Sequence, residues 1–429
     1  MKTILFIVPC LAAICCQAQN KDTVSVVAAQ YFKEAQHAAK NQTIWNKALY
    51  GPTLFVNPQS RMVWANMPDT QGVLKPDGNV YKGILPNDII IANTAINWQG
   101  KKWSVILWPL PQNHDERLNL VMHESFHRIQ GDLGLRDNSP TINHLATMDG
   151  RIYLLLELQA LKAALAKPVN ERKADLANAL LFREKRRRVF PATFGNERLL
   201  EMNEGLAEYT GVMLGRQKDS IREHLYEIIN GADKTKSLIR SMAYVTGPVY
   251  GYLLYQEAPQ WTLQVDSNSS FPALISKYYQ VDLPQGDIDA KISASLKLYN
   301  GDAIIASEKL KEAEHQKVVQ QYTELFTRKP VLTITSVNMN IGFNPSNLFD
   351  LGDYGTVYPT AEVKDAWGQL EVAEGGMLMK DWKLIYLPIS DEIKPGESQI
   401  AGAGWKLTLN SGWKIEKDGS GNYKVVKTN

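Results

Sequence analysis

Every cysteine of this chain lies within its first sixteen residues, at Cys10, Cys15 and Cys16. Whatever follows must fold without a disulfide. It can offer no thiol nucleophile, and any transition-metal site it builds must come from His, Asp and Glu. The cysteines sit in a segment of leader character. Lys2 precedes the apolar run Ile4–Ile14, and Cys16 and Ala18 place small residues three and one positions before Gln19. This pattern predicts a signal peptide over residues 1–18, cleaved before Gln19. The run is shorter than the roughly 20 apolar residues that span a bilayer, and no later run is longer, so no transmembrane segment is expected. The chain is therefore expected to be exported across an inner membrane, to a periplasm or the medium. Lipid anchoring through Cys15 or Cys16 fits less well, because Ile14 and Cys15 are poor neighbours for an acylated cysteine.

Composition narrows the class further. At 44% hydrophobic and 21% charged, the chain is neither disordered nor collagen-like. A net charge of +2 gives no basic surface for nucleic acid. Its 429 residues suffice for two or three cores.

Periodicity changes twice along the chain. After a short helix over Val24–Lys40, residues 50–111 carry extended runs at Thr53–Val56, Met62–Asn66, Asp88–Asn93 and Trp103–Trp108. Turn-rich stretches with Pro58, Pro76, Asp77 and Gly78 separate them, which predicts a small antiparallel sheet. Residues 116–327 read as helical, with candidates at Arg117–Gly131, Arg151–Ala166, Asn170–Arg188, Glu197–Leu214, Ile221–Ile229 and Ala303–Phe326. Lys329-Pro330 ends the last helix and marks the expected boundary between residues 19–328 and a β-rich domain at 329–429. That domain shows strands at Val331–Ser336, Thr356–Thr360, Gln369–Val372 and Lys383–Leu387. It closes on an expected meander of Trp405–Leu409, Trp413–Glu416 and Tyr423–Lys427. The fold class is α+β.

One helix carries His123-Glu124-Ser125-Phe126-His127, an H-E-x-x-H motif. Residues four apart share a helix face, so both imidazoles can grip one ion while Glu124 projects beside it. Leu118, Val121, Phe126 and Ile129 around it predict a partly buried helix, where unpaired His and Glu would be costly. A second helix carries Asn203-Glu204-Gly205-Leu206-Ala207-Glu208-Tyr209. Its Glu197, Glu201, Glu204 and Glu208 form one stripe, mutually repulsive by a few tenths of a kcal/mol per pair. A cation beside Glu204 and an imidazole beside Glu208 would relieve it. The positions three and six after His127 hold Gln130 and Leu133, which excludes a third histidine in the metzincin manner.

H-E-x-x-H followed by a helix with N-E-x-x-A-E resembles the gluzincins, the group of thermolysin and the aminopeptidase N relatives, and most closely their bacterial peptidase MA-like members. The resemblance covers roughly residues 100–260 and implies a zincin-like domain with a mainly helical catalytic part; the small all-β domain after it rests on its strand pattern alone. It also implies Zn2+ held by His123, His127 and Glu204, with Glu124 as general base and Glu208 orienting a ligand histidine. The interval from His127 to Glu204 is 77 residues, far longer than in the best-known members, so the helices between are read as an inserted hairpin. Tyr244-Val245-Thr246-Gly247 resembles the Y-x-x-G segment that opens a helix in aminopeptidase N relatives. This implies Tyr244 as oxyanion donor, with Tyr250 as alternative.

The implied activity is hydrolysis of a peptide or protein substrate by zinc-activated water. A Gly-x-Met-x-Asn segment for a free amine is missing upstream, which favours an endopeptidase over an aminopeptidase. A secreted binding protein on a zincin scaffold is the alternative of another class, and the intact Glu124 argues against it. The β-run Trp103–Trp108 is a candidate edge for substrate strand addition. The basic run Arg183, Lys185, Arg186, Arg187 and Arg188 is expected to be solvated, and His114 and His144 to lie at the surface. Trp103, Trp108, Trp405 and Trp413 are expected to pack in strands.

Overall fold

The computed structural model describes residues 12–234, 238–344, 347–390, 392–394 and 397–428. Most of the leader run Ile4–Ile14 lies outside them. By contacts the chain divides into two units, Met1–Ile305 and Ala306–Asn429. That division falls upstream of Lys329-Pro330, inside a helix rather than after it. The α+β class holds, with a sheet first, helices in the middle and an all-β end.

Helix α1 (Ala12–Ala39) begins well before Val24 and runs through the expected cleavage position, since no proline or glycine interrupts residues 12–39. The first sheet holds β1 (Thr53–Val56), β2 (Met62–Ala65), β3 (Lys75–Asp77), β4 (Val80–Ile84), β5 (Thr94–Trp98) and β6 (Lys101–Leu107), in the order β3-β4-β2-β1-β6-β5. It is mixed rather than antiparallel. The chain leaves β1, builds β2 to β5 and returns beside β1 as β6, in parallel register with Phe55 opposite Ile106. Side chains of β1 alternate between two covered faces. Phe55, Trp64 and Ile106 join the helical core, while Leu54, Val56, Val63, Trp103 and Val105 form a separate cluster on the other face.

Asp88–Asn93 is not a strand. The Arg61 guanidinium bonds the carbonyls of Leu85, Pro86 and Ile89 and holds that stretch in turns, so the strand starts one residue later, at Thr94. β5 is one edge of the sheet and β3 the other, and β6 is interior between β1 and β5.

The helical part comprises α2 (His114–Gln130), α3 (Met148–Leu165), α4 (Lys173–Val189), α5 (Phe194–Leu200), α6 (Leu206–Gly215), α7 (Lys218–Gly231), α8 (Leu238–Glu257), α9 (Phe271–Tyr279) and α10 (Asp289–Leu296). Asn113 caps α2 by accepting from the amides of Asp115 and Glu116, and the acidic first turn suits the helix dipole. That cap starts α2 three residues before Arg117. Val121, Met122, Phe126 and Ile129 bury its apolar face. Helices α3 and α4 pack together as the expected hairpin.

Helix α11 (Gly301–Thr327) crosses into the second unit, whose remainder is all-β apart from one short 3₁₀ turn among the described residues. Its strands are β7 (Val331–Thr335), β8 (Asn340–Phe343), β9 (Phe349–Asp350), β10 (Thr356–Tyr358), β11 (Ala361–Asp365), β12 (Gly368–Val372), β13 (Met377–Lys380), β14 (Leu384–Pro388), β15 (Gln399–Gly402), β16 (Trp405–Leu409), β17 (Trp413–Lys417) and β18 (Tyr423–Lys427). They form a seven-stranded sheet, β17-β18-β7-β14-β13-β10-β9, and a five-stranded one, β15-β16-β12-β11-β8. Ile334 and Ile385 from the first share one core with Leu370 and Leu407 from the second, as in a sandwich. The expected terminal meander is only half present. β17 and β18 form a hairpin, but β16 pairs with β12 and β15, so Asn410-Ser411-Gly412 carries the chain from one sheet to the other.

Among the described residues no helix is long and apolar enough to cross a membrane.

Candidate metal centre

Helix α2 presents His123 and His127 one turn apart, with their Nε2 atoms 3.2 Å from each other. Glu204 Oε2 lies 3.4 Å from the first and 3.6 Å from the second. Donor atoms at the corners of a tetrahedron with bonds of about 2.0–2.1 Å stand roughly 3.3 Å apart, so the three atoms match the face of such a site. Each outer ring nitrogen is committed elsewhere. His123 Nδ1 lies 2.9 Å from Glu208 Oε2, and His127 Nδ1 lies 2.9 Å from Gln130 Oε1. Both partners are acceptors, which puts a proton on each Nδ1 and, once an ion displaces the proton His123 holds on Nε2, leaves two Nε2 lone pairs converging on one point. Such lone pairs repel unless a cation lies between them. The donor set therefore fits a metal ion, and it is the group of three potential ligands found among the described residues.

Neighbours hold every donor in place. Asn119 Nδ2 donates to Glu208 Oε1 over 3.0 Å. The Gln130 amide is oriented by its own donation to Arg136 O and Asn203 Oδ1, both at 2.7 Å. Ser139 Oγ and Asn203 Nδ2 donate to Glu204 Oε1, at 2.8 and 3.1 Å, which leaves Oε2 facing the imidazoles. Gln130, Ser139 and Asn119 were not singled out from the sequence. Only Gln130 carried a local signal, lying three residues after His127 on one helix face.

A cavity of about 310 Å³ opens over the donors and is lined by Glu124 and Tyr244 among others. Glu124 is buried and its Oε2 has no partner among the described residues. Burial pushes its pKa up, as suits a proton acceptor working near neutrality. Burial would lower the His123 imidazole, yet Glu204 and Glu208 raise it to about 10 in the absence of an ion. Glu204 is held well below the usual carboxylate range: burial opposes this, but contacts from His123, His127 and Tyr244 outweigh it. The Tyr244 ring stacks on His123 at 5.5 Å and its hydroxyl donates to Glu204 Oε2 over 2.6 Å. Burial and then Glu204 push the phenol pKa up, so it remains a proton donor.

Two short segments lock together to build this arrangement. Between α5 and α6 the chain makes a π turn, Glu201–Gly205. Its wider winding breaks the expected glutamate stripe: Glu204 and Glu208 face α2, whereas Glu197 and Glu201 face α4. Tyr244-Val245-Thr246-Gly247 lies inside α8 rather than opening it, and meets this turn residue by residue. Tyr244 bonds Glu204, Thr246 Oγ1 donates to Glu201 Oε1 over 2.7 Å, and Gly247 abuts Gly205. Pro248 withholds the amide that would bond the Tyr244 carbonyl. On the other side, Gly211 and Gly215 of α6 rest against the Asn119 backbone, bringing Glu208 onto His123.

The other face of the stripe corrects three expectations. Arg183 and Arg186 are buried rather than solvated. Arg183 pairs with Glu157 and Glu201, and Arg186 with Glu157 and Glu197. His144 is buried too, its Nε2 2.6 Å from Glu197 Oε1. Tyr250 is fully buried and donates to Glu157, so it is a member of this ionic core and not of the cavity. His114 does lie at the surface, beside Asp115.

The chain matches no family model, no curated protein and no solved structure. Fold and site together define an α+β protein whose helical layer carries a cradle of two histidines and one glutamate able to hold a metal ion.

Proposed function

We propose that this chain is an exported zinc metallopeptidase of gluzincin type that cleaves internal peptide bonds. The observation that carries the reading is the unpartnered, buried Glu124 carboxylate on the same cavity as the three convergent donors. A structural ion would have no use for such a group.

His123, His127 and Glu204 would hold the ion, and two imidazoles with one carboxylate suit zinc in a site that keeps a position open. Zinc held there supplies Lewis acidity towards a carbonyl oxygen and acidifies water. Glu124 takes the proton of the attacking water and returns it to the departing amine, so one water is consumed per bond cleaved. The protonated Tyr244 hydroxyl, which lines the cavity, donates to the oxyanion that develops on the scissile carbonyl. Glu208 and Gln130 keep both imidazoles in one tautomer. Substrate backbone would add to the sheet at β5, whose Asn93–Thr94 end lines the cavity, and not at interior β6.

The test is metal content together with hydrolysis of a peptide library, with Glu124→Gln as control. One zinc per chain and cleavage abolished by Glu124→Gln are expected. Stoichiometric metal with no Glu124-dependent cleavage would favour the binding-protein reading. Cleavage of N-acetylated peptides separates an endopeptidase from an aminopeptidase. Export rests on the leader character of residues 1–18, and N-terminal sequencing of the mature protein is expected to begin at Gln19.

A further inference from the structure

The cavity over the donors is electrostatically one-sided. Glu124, Asp137, Glu204 and Glu208 line it, and no lysine or arginine does among the described residues. A divalent ion offsets only two of these four carboxyl groups. Three of the four already have work: Glu204 and Glu208 face the imidazoles, and Glu124 stands beside them. Asp137 has none. It has no hydrogen-bond or ion-pair partner among the described residues, and it is exposed at the cavity.

Its position is nevertheless built. The carbonyl of Arg136, one residue before it, accepts from Gln130, which orients His127. Ser139, two residues after it, donates to Glu204. The loop bearing Asp137 is thus tied on both sides to groups that set the donor atoms. A second metal ion does not explain it, because Asp137 belongs to no group of three potential ligands among the described residues. What an unpaired carboxylate beside an anionic cavity recognises is an organic cation.

We infer that Asp137 sets substrate specificity, giving preference to peptides that carry an ammonium or guanidinium group close to the bond at the metal centre. This rests on the peptidase reading for the identity of the ligand as a peptide. The cation has two sources, a free α-amino terminus or a Lys or Arg side chain, and their chemistry at Asp137 is the same.

The experiment uses the full chain as Glu124→Gln, loaded with zinc, so that binding is read without turnover. Four short peptides with a C-terminal fluorophore are compared by anisotropy: acetylated and neutral, free-amine and neutral, acetylated with one Lys, and acetylated with one Glu. A cationic peptide is expected to bind about fivefold more tightly than the acetylated neutral one, the upper end for an exposed ion pair, and the Glu peptide more weakly. The preference should shrink with added salt, fall towards unity in Asp137→Asn, and reverse in Asp137→Lys. Whichever of the free-amine and Lys peptides carries the gain identifies the source. Equal affinity for charged and neutral peptides overturns the inference, as does a preference that survives Asp137→Asn or a failure of all four to bind. Hydrolysis by the unmutated chain is scored separately. Charge-selective binding without any hydrolysis sinks the peptidase reading and leaves Asp137 standing, whereas hydrolysis without charge preference does the reverse.

Discussion

Replacing Gly247 by alanine sets two effects of opposite sign against each other. Gly247 lies in the interior of α8, where helix propensity alone favours alanine by about 1 kcal/mol. Its added Cβ, however, would stand 2.3 Å from Gly205 Cα, 2.4 Å from Gly205 O and 2.6 Å from Gly205 C. Ordinary carbon contacts lie near 3.5–4.0 Å, so α8 and the π turn must separate by roughly 1 Å, and all three atoms met are backbone. Overpacking of this kind costs about 1–3 kcal/mol, so a net loss of about 0–2 kcal/mol is expected after the propensity gain. The same displacement stretches the 2.6 Å Tyr244–Glu204 hydrogen bond beyond bonding distance. A misplacement of about 1 Å at such a site costs on the order of 100-fold in rate. Gly195 provides the control: it lies in α5 with nothing within 4 Å of its Cβ position. Gly195→Ala should therefore gain up to about 1 kcal/mol. Urea unfolding followed by tryptophan fluorescence, with peptide hydrolysis alongside, reads both quantities. A Gly247→Ala chain as stable as Gly195→Ala would refute the positioning role given to this contact.

Other expectations concern the metal and the ionic core. Glu208→Gln removes the charge opposite His123 Nδ1 and should weaken zinc binding about 10- to 100-fold in a chelator competition, without unfolding the chain. Arg186→Met leaves Glu157 and Glu197 buried and short of a partner, at a cost of about 3–5 kcal/mol, whereas Arg187→Met at the surface should stay within about 0.5 kcal/mol. Similar denaturation midpoints for the two would contradict the burial of Arg186. Burial works against the charge on Glu197, but Arg186, joined by His144, holds its carboxyl far below the usual range. A depressed folded-state pKa gives stability that is complete above the unfolded value of about 4.3 and is lost as pH falls below it. Denaturation midpoints measured from pH 7 to 3 should therefore drop more steeply for the unmutated chain than for Glu197→Gln. Parallel curves would show that Glu197 does not contribute to acid sensitivity.

Much of the helical layer was legible because helix periodicity is a local property. The four-residue spacing of His123 and His127 places them on one face whatever surrounds them, and Leu118, Val121, Phe126 and Ile129 announce which side is buried. Strand positions were less legible. β4 went unrecognised behind the turn residues before it, and Asp88–Asn93 looked extended although Arg61, some thirty residues earlier, supplies the hydrogen bonds that keep it in turns.

By itself the sequence determined a chain without cysteine after Cys16, the two histidines and the carboxylate between them, and the glutamates available to complete the set. Tertiary structure alone decided which glutamate meets which partner. An α-helical reading puts Glu197, Glu201, Glu204 and Glu208 on one stripe. The π turn at Glu201–Gly205 divides them between a buried arginine pair and two imidazoles. The same long-range closure turned a basic helix end and His144 into core, brought Gln130 and Ser139 against the donor residues, and brought Asp137 to the cavity. Local spacing says which side chains share a face. What that face meets depends on how helices 40 to 90 residues apart approach, and here glycine-to-backbone contacts set that approach.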